Sequence, residues 1–285
     1  MKKIFFILVF LGLLNAGLVN AFTEEEKQAW FKQIKQKSPE HIHNVEFTAL
    51  SFAYFFSDDL PKWYVDNLYQ PKAFKLSDFK PLDENVIFSE QNELVTQDKK
   101  PCMKIEVKND ELILTKLDNM SEICKDAFSY YKLKDTVCGR FVVEHNAYYQ
   151  RDKNAILTGD FSKVTNDYED YSVCPKYDLG KNDKVVFSLS KMLYPYIGAS
   201  MYGKLEELKE EHKNKDLKSF FDNNLPHLAK SCVKLEDNKI ILNKLSQKDS
   251  KDEIICYAFL AAFKEAFGDE LVKNGSFDMS KYFKK

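Results

Sequence analysis

The clearest pattern of apolar and polar positions along the chain lies at residues 103–107, where both types alternate in the sequence MKIEV. Such alternation is typical of a half-buried β-strand. The apolar run ELIL at 111–114 follows a turn-forming pair, Asn-Asp, at 109–110. The pattern therefore predicts a β-hairpin. A second hairpin is predicted within 230–245, with Asp-Asn at 237–238 as its turn.

The two predicted hairpins resemble each other in sequence. Residues 100–117 and 230–245 align over sixteen positions when a two-residue gap is placed at 107–108. Eight aligned pairs are identical: Lys100/Lys230, Cys102/Cys232, Lys104/Lys234, Glu106/Glu236, Ile113/Ile241, Leu114/Leu242, Lys116/Lys244 and Leu117/Leu245. Each copy continues into a helical pattern with a second cysteine, SEICKDAFSYY or DEIICYAFLAAF. This predicts two diverged ββα repeat units, with chance similarity of Lys-, Leu- and Ile-rich segments as the alternative.

The chain has six cysteines, an even number that fits complete pairing in an oxidising compartment. Six cysteines allow fifteen connectivities. One disulfide is expected within each repeat unit, because each unit carries one cysteine on its hairpin and another on its helix. The predicted pairs are Cys102–Cys124 and Cys232–Cys256 for the two units and, by elimination, Cys138–Cys174. The absence of a CxxC pair argues against a thioredoxin-like redox centre and a zinc ribbon.

Periodic apolar residues predict helices in much of the rest of the chain. Helices are expected from a capping box at 23–26, from Ser38 to about Phe56, from about Pro61 to Tyr69, and from about Asp183 to Lys213 with a kink at Pro195. Residues 70–100 are interpreted as a connecting segment with short extended pieces. The sequences at 140–150 and 155–164 are interpreted as a hairpin pair, and 166–183 as a polar, Tyr-rich loop.

Residues 1–21 have the pattern of a cleaved signal peptide. Lys2 and Lys3 give a positive start, an apolar run follows, and compact residues at 19–21 precede the expected cleavage point. An uncleaved anchor is the alternative, because residues 4–19 are nearly long enough to span a bilayer. No later run approaches the ~18 apolar residues of a membrane-spanning helix. We therefore expect a periplasmic or secreted protein with no membrane span after signal cleavage.

Composition and charge narrow the classes of function. The 42 Lys and Arg residues and 44 Asp and Glu residues give a formal net charge of −2. This chain lacks the basic excess that is typical of nucleic-acid binding, so we expect no nucleic-acid partner. Only 9 glycines and 8 prolines occur among 285 residues, which excludes a collagen-like chain and favours helices over a turn-rich sandwich.

Common sequence motifs for catalysis and metal binding are absent from the chain. It contains no GxSxG, HExxH, Gly-rich phosphate loop or GxGxxG. His41 and His43 are the closest histidine pair, but side chains two residues apart on a helix diverge and cannot share a metal ion. The acidic residues within 167–183 do not have EF-hand spacing. We therefore expect no catalytic residue, no metal site and no cofactor.

Aromatic residues are the distinctive excess, with 23 Phe, 15 Tyr and 2 Trp. Most of the Phe rings are expected in the core. Tyrosine joins an apolar ring to a polar hydroxyl and is common at recognition surfaces, although core packing is the alternative for each of them. The predicted binding residues are Tyr148, Tyr149, Tyr168, Tyr171 and Tyr177.

These patterns together predict an α+β, predominantly helical protein with two diverged ββα repeat units, each closed by a disulfide. After the signal peptide, the first half is expected at 22–137 and the second at 138–285. The predicted function is that of a non-enzymatic binding module of the periplasm or cell exterior, whose partner is a protein or a surface polymer. The alternative is a secreted hydrolase that acts on peptide or glycan through a site that these motifs do not cover.

Overall fold

The computed structural model describes residues 59–79, 86–96, 99–120, 124, 138–163, 165, 167–211, 232–280 and 282. Several predictions lie outside these residues: the signal peptide at 1–21, the helices before residue 57, the pair His41 and His43, and the helix of the first repeat unit apart from Cys124. Within the described part of the chain, no helix is long and apolar enough to cross a membrane.

A five-stranded antiparallel sheet contains the first predicted hairpin. Its strands, in spatial order, are β1 (Val86–Phe88), β2 (Glu93–Thr96), β3 (Pro101–Lys108), β4 (Glu111–Lys116) and β5 (Lys184–Ser188). The first four strands form a meander, whereas β5 comes from far along the chain to pair with β4. The two predicted halves, 22–137 and 138–285, thus share a sheet, and their boundary stays a prediction.

The predicted hairpin of β3 and β4 has the expected turn. Residues 103–108 pair with 111–116, so the turn falls on 109–110. Asn109 has a φ of 57°, a left-handed conformation that asparagine adopts more readily than most residues. The alternation of the sequence MKIEV turns Ile105 towards the core.

The second predicted hairpin lies in a three-stranded antiparallel sheet. Its strands are β6 (Val233–Glu236), β7 (Lys239–Leu242) and β8 (Ser276–Asp278), in that spatial order. The turn between β6 and β7 is the predicted pair at 237–238, and Asp237 has a φ of 53°. The pairing of β8 with β7 was not indicated by the sequence pattern.

Helices supply most of the remaining described structure. They are α1 (Leu60–Tyr69), α2 (Glu144–Thr158), α3 (Leu189–Met192), α4 (Tyr194–Glu211), α5 (Lys251–Phe267) and α6 (Glu270–Asn274). A π-helical turn, Cys138–Val143, leads into α2, and a 3-10 helix spans Tyr171–Tyr177. The helix predicted at 61–69 is therefore confirmed as α1.

The core of the protein is centred on α5. This helix begins at a capping box in which Ser250 and Glu253 exchange hydrogen bonds between side chain and backbone. Ten of its seventeen residues are buried, as expected for a helix that is apolar on most sides. Helices α2 and α4 pack against it. Core residues from both predicted halves, such as Leu112 and Phe259, belong to one apolar cluster.

All three predicted disulfides are present. They join Cys102 to Cys124, Cys138 to Cys174 and Cys232 to Cys256, with Cα–Cα distances of 5.6, 5.6 and 5.2 Å. All six cysteines are buried. The connectivity deduced from the repeat and by elimination is confirmed. The sequence duplication itself stays a prediction, because most of the residues predicted to form the helix of the first unit lie outside the described residues.

The predicted hairpin at 140–164 is wrong, because this segment is mainly the helix α2. Tyr149 and Ile156 lie two helical turns apart and are both buried in the core. The polar sequence QRDKN between them therefore belongs to the middle of a helix, not to a turn. The helix ends before Gly159, whose φ of 70° suits glycine.

The helix predicted at 183–213 begins later than expected. The first residues of the segment that was predicted as helical form the strand β5 instead. In β5, buried Val185 and Phe187 alternate with more exposed neighbours. Helices α3 and α4 are separated by Leu193, so Pro195 lies in the first turn of α4. Proline is tolerated at this position because the first N–H groups of a helix need no intrahelical acceptor.

Candidate binding site

The disulfide between Cys138 and Cys174 holds the Tyr-rich segment against the start of α2. A small apolar cluster, separate from the main core, is formed by these two cysteines and Val143. Tyr171 and Tyr177 pack against this cluster. The covalent link therefore fixes two segments that are 36 residues apart in sequence.

A cavity of about 200 Å³, which we call the Tyr177 pocket, lies beside this disulfide. The turn before α2, the 3-10 helix and the junction of β5 with α3 form its walls. Its apolar lining contains Val142, Val173, Tyr177, Phe187 and Met192. Pockets for whole cofactors and drug-sized ligands are usually larger, about 300–1,000 Å³. The size of this pocket suits a single side chain or a small group.

One wall of the Tyr177 pocket is a pair of stacked aromatic rings. The ring centroids of Tyr177 and Phe187 are 4.8 Å apart, with an interplanar angle of 12°. The Lys176 ammonium lies 5.0 Å from the centroid of the Tyr177 ring. It forms no ion pair with a carboxylate among the described residues. The pocket therefore combines an aromatic face with a lysine ammonium.

Asp170 contributes a carboxylate to the same pocket. It caps the 3-10 helix by accepting a hydrogen bond from the N–H of Ser172 at 2.9 Å. Hydrogen bonds from Ser172 hold the pKa of the Asp170 carboxyl below its ordinary value. The Lys176 ammonium lowers this pKa further, so Asp170 and Lys176 interact electrostatically inside the pocket.

Asp110, in the turn between β3 and β4, fixes the junction of β5 and α3. Its carboxylate accepts hydrogen bonds from the hydroxyls of Tyr64 at 2.6 Å and Ser188 at 2.9 Å. The N–H of Ser190 donates to the same carboxylate at 3.1 Å. Ser188 lines the pocket, so this network positions the pocket wall that is formed by the end of β5.

Lys191 connects the pocket to a charged cluster around Asp249. The Asp249 carboxylate accepts hydrogen bonds from the Lys191 ammonium at 2.7 Å, from the Tyr149 hydroxyl at 2.7 Å and from the Lys153 ammonium. The two ammonium groups lie 5.4 and 5.6 Å from the centroid of the Tyr149 ring. The cluster ties α2 and α3 to the segment that precedes α5.

In this cluster the pKa of the carboxyl group is lowered, whereas the pKa values of the tyrosine hydroxyls are raised. Partial burial alone would raise the pKa of the Asp249 carboxyl, but hydrogen bonds from Lys153, Lys191 and Tyr149 outweigh burial and hold this pKa well below its ordinary value. Burial and the neighbouring Asp249 carboxylate raise the pKa of the Tyr149 hydroxyl. Burial and nearby carboxylates raise the pKa of Tyr257 to about 12. The cluster thus contains an ionised carboxylate and neutral phenols at neutral pH.

The substitution Asp249→Asn is expected to lower the free energy of unfolding at neutral pH by about 1–2 kcal/mol, because the two lysines lose their common anion. The Asp249 carboxylate stabilises the folded protein above its unfolded-state pKa of about 3.9, and this stability is lost as the pH falls through the lowered native-state pKa. The difference between the two proteins should therefore shrink as the pH is lowered from about 5 towards 2. Urea unfolding over this pH range measures it.

The exposed pair Lys62 and Asp66, one helical turn apart in α1 and 2.7 Å from each other, provides a matched control. Asp66→Asn should change stability by less than about 0.5 kcal/mol, because exposed ion pairs of this type contribute little. Equal effects of the two substitutions would contradict a special role of Asp249.

The five predicted binding tyrosines occupy different environments. Tyr171 and Tyr177 lie beside the Cys138–Cys174 disulfide, and Tyr177 lines the pocket. Tyr148 is 41% exposed on α2, and Tyr168 is partly exposed. Tyr149 is fully buried, so its ring occupies a core position. Binding by the other four tyrosines stays a prediction.

The pocket also contains residues that the sequence pattern did not single out. Lys176, Phe187 and Lys191 line it together with Tyr177, although they come from separate elements. The predicted pairing of Cys138 with Cys174 was the one available signal, since it implies that the flanking segments lie together.

The structure contains no group of three His, Cys, Asp or Glu residues that could hold a metal ion in the part of the chain that it describes. His145 lies near the pocket wall, where its Nδ1 is 2.5 Å from the Met192 carbonyl oxygen. Its ring also makes an edge contact with Phe141.

Comparisons of this chain with protein-family models, with curated proteins and with solved structures find no match.

Proposed function

We propose that this chain is an exported, disulfide-bonded binding protein that acts without catalysis. Its partner is another protein or a surface polymer of the periplasm or cell exterior. The Tyr177 pocket is the contact site, together with the exposed parts of Tyr148, Tyr168 and Tyr171.

The observation that carries this proposal is the combination of an aromatic wall and a lysine ammonium in one small pocket. The stacked rings of Tyr177 and Phe187 offer apolar contact, and Lys176 can attract an acidic group. Aromatic residues beside polar groups are enriched where proteins meet their partners. Tyr177, one of the predicted binding tyrosines, lines this pocket.

Export is supported by the cysteines and by the predicted signal peptide at 1–21. All six cysteines are paired and buried, and disulfides of this kind persist in oxidising compartments. The proposal of two diverged ββα units rests on the sequence similarity of the two segments, and a disulfide links each hairpin to a cysteine that follows it at a similar separation, 22 and 24 residues.

The alternative, a secreted hydrolase, has less support in the pocket. Ser188 and Lys191 are three residues apart, and covalent catalysis would require the serine hydroxyl and a base to face each other. The Ser188 hydroxyl instead donates to Asp110, and the Lys191 ammonium donates to Asp249. This arrangement favours binding over hydrolysis.

Photo-crosslinking in the cells that produce the protein tests the proposal. A benzophenone side chain placed at Lys176 is expected to give one major adduct with a protein or a surface polymer, identified by mass spectrometry. The same group at the exposed Lys239 of β7 is the matched control and should not give that adduct. Absence of an adduct at Lys176, or identical adducts at both positions, would contradict the pocket as the contact site.

A further inference from the structure

Among the residues that the structure describes, no strand pairs with the outer edge of β5. The Lys116 N–H donates to the Asp183 carbonyl at 2.8 Å, and the Leu189 N–H donates to the Asp110 carbonyl at 2.7 Å. In an antiparallel sheet, every second residue of a strand forms its backbone hydrogen bonds with a given neighbouring strand. Residues 183 and 189 bond to the β4 side, so residues 185 and 187 do so as well. The N–H and carbonyl groups of Lys184 and Val186 therefore point away from β4.

These outward groups have no hydrogen-bond partner among the described residues. Val186 is 37% exposed, and Tyr148 is the other exposed large apolar side chain in the described part of the chain. Edge strands with exposed apolar residues are templates for pairing with a further strand. The free edge of β5 thus has the chemistry of a β-strand acceptor.

A strand added to β5 would present its side chains to two different surfaces. Directly opposed residues in neighbouring strands point to the same face of a sheet. A residue opposite Phe187 would lie on the side of the Tyr177 pocket, which Phe187 lines. A residue opposite Val186 would lie on the other face, beside its exposed side chain.

Each of these two surfaces carries one lysine that has no carboxylate within ion-pair distance among the described residues, although Asp170 interacts with Lys176 electrostatically inside the pocket. Lys184 lies on the same face as Val186, and Lys176 lines the Tyr177 pocket. Both surfaces also offer apolar contact. An extended segment that alternates apolar and acidic side chains complements this arrangement better than a basic segment would.

We propose that the edge of β5 is the docking site for an extended, acidic segment of the partner protein, which adds to the five-stranded sheet as a sixth strand. This proposal rests on the proposed function, since it specifies how a protein partner reaches the Tyr177 pocket. Backbone hydrogen bonds supply the affinity, and the pocket supplies the side-chain specificity.

The test uses fluorescence anisotropy with the purified, fully oxidised chain and heptapeptides composed of Asp, Glu, Val, Ile and Phe. Peptides from this set are expected to bind, and the same peptides with Lys in place of the acids should bind at least tenfold more weakly. N-methylation of single peptide amides should weaken binding at least tenfold at alternate positions only, because every second amide of an added strand faces β5.

Val186→Pro is the matched change in the protein. It removes an N–H that points away from β4, so the existing sheet keeps its hydrogen bonds. Peptide binding should fall at least tenfold, whereas Val186→Thr, which keeps the N–H, should retain binding. Circular dichroism of both variants checks that the fold is intact.

Three results would overturn strand addition. In the first, peptide binding is abolished by Lys176→Glu and yet tolerates N-methylation at every position of the peptide. That result would assign recognition to the pocket alone. A protein adduct at Lys176 in cells without peptide binding in vitro would leave the proposed function intact and refute this docking mode. A dimer that Val186→Pro converts to a monomer would assign the edge to a second copy of this chain.

Discussion

Phe263→Ala is expected to lower the free energy of unfolding by about 3–5 kcal/mol, the usual cost of removing a fully buried phenylalanine ring. Phe263 lies on α5 and is 1% exposed. Its ring centroid is 4.8 Å from that of Phe267 and 5.2 Å from that of Phe277. Because Phe277 belongs to β8, removal of the Phe263 ring would leave a cavity between α5 and the three-stranded sheet. Urea unfolding followed by circular dichroism measures the loss.

Phe263→Leu is the control for this prediction. Leucine fills most of the ring volume without a polar atom, so the cost should stay below about 1.5 kcal/mol. A loss of less than about 1 kcal/mol for Phe263→Ala would contradict the packing of α5 as the centre of the core.

Local sequence patterns were sufficient to predict the hairpins. In β3, alternation of apolar and polar residues and an Asn-Asp turn act over a few residues, so the strand pair β3–β4 is encoded where it forms. The capping box at Ser250 likewise marks the start of α5 within one helical turn. Two of the disulfides were predictable from sequence similarity alone, because residues 100–117 and 230–245 each carry one cysteine and a second cysteine follows at a similar separation.

Elements that depend on distant partners could not be predicted in the same way. β5 contains two buried residues, Val185 and Phe187, and its partner β4 is about seventy residues earlier in sequence. An apolar run this short fits a helix or a strand equally well until the partner is known. The short β8 likewise depends on β7 for its pairing.

The candidate site shows the same division between local and distant information. Tyr148 and Tyr149 are adjacent and chemically identical, but neighbours on a helix point about 100° apart, so one is exposed and the other is buried. Only the position of α2 against α5 decides which ring faces the core. The stacking of Tyr177 on Phe187 depends in turn on the pairing of β5 with β4, because Phe187 belongs to β5.

Removal of the disulfide beside the pocket is expected to affect both stability and binding. The double variant Cys138→Ala/Cys174→Ala should lower the free energy of unfolding by roughly 3–4 kcal/mol, since the link closes a sequence separation of 36 residues. It should also abolish the Lys176 adduct, because the 3-10 helix that carries Lys176 loses its covalent attachment to the start of α2.

Cys232→Ala/Cys256→Ala separates these two effects. This disulfide closes a similar separation of 24 residues, so its loss should destabilise the protein to a similar degree, again roughly 3–4 kcal/mol. It does not join elements that line the Tyr177 pocket, and the Lys176 adduct should therefore persist at a temperature where both variants are folded. If both variants lost the adduct, general destabilisation would explain the loss. If both kept it, the pocket would not depend on the Cys138–Cys174 link, and the role assigned to that link would be refuted.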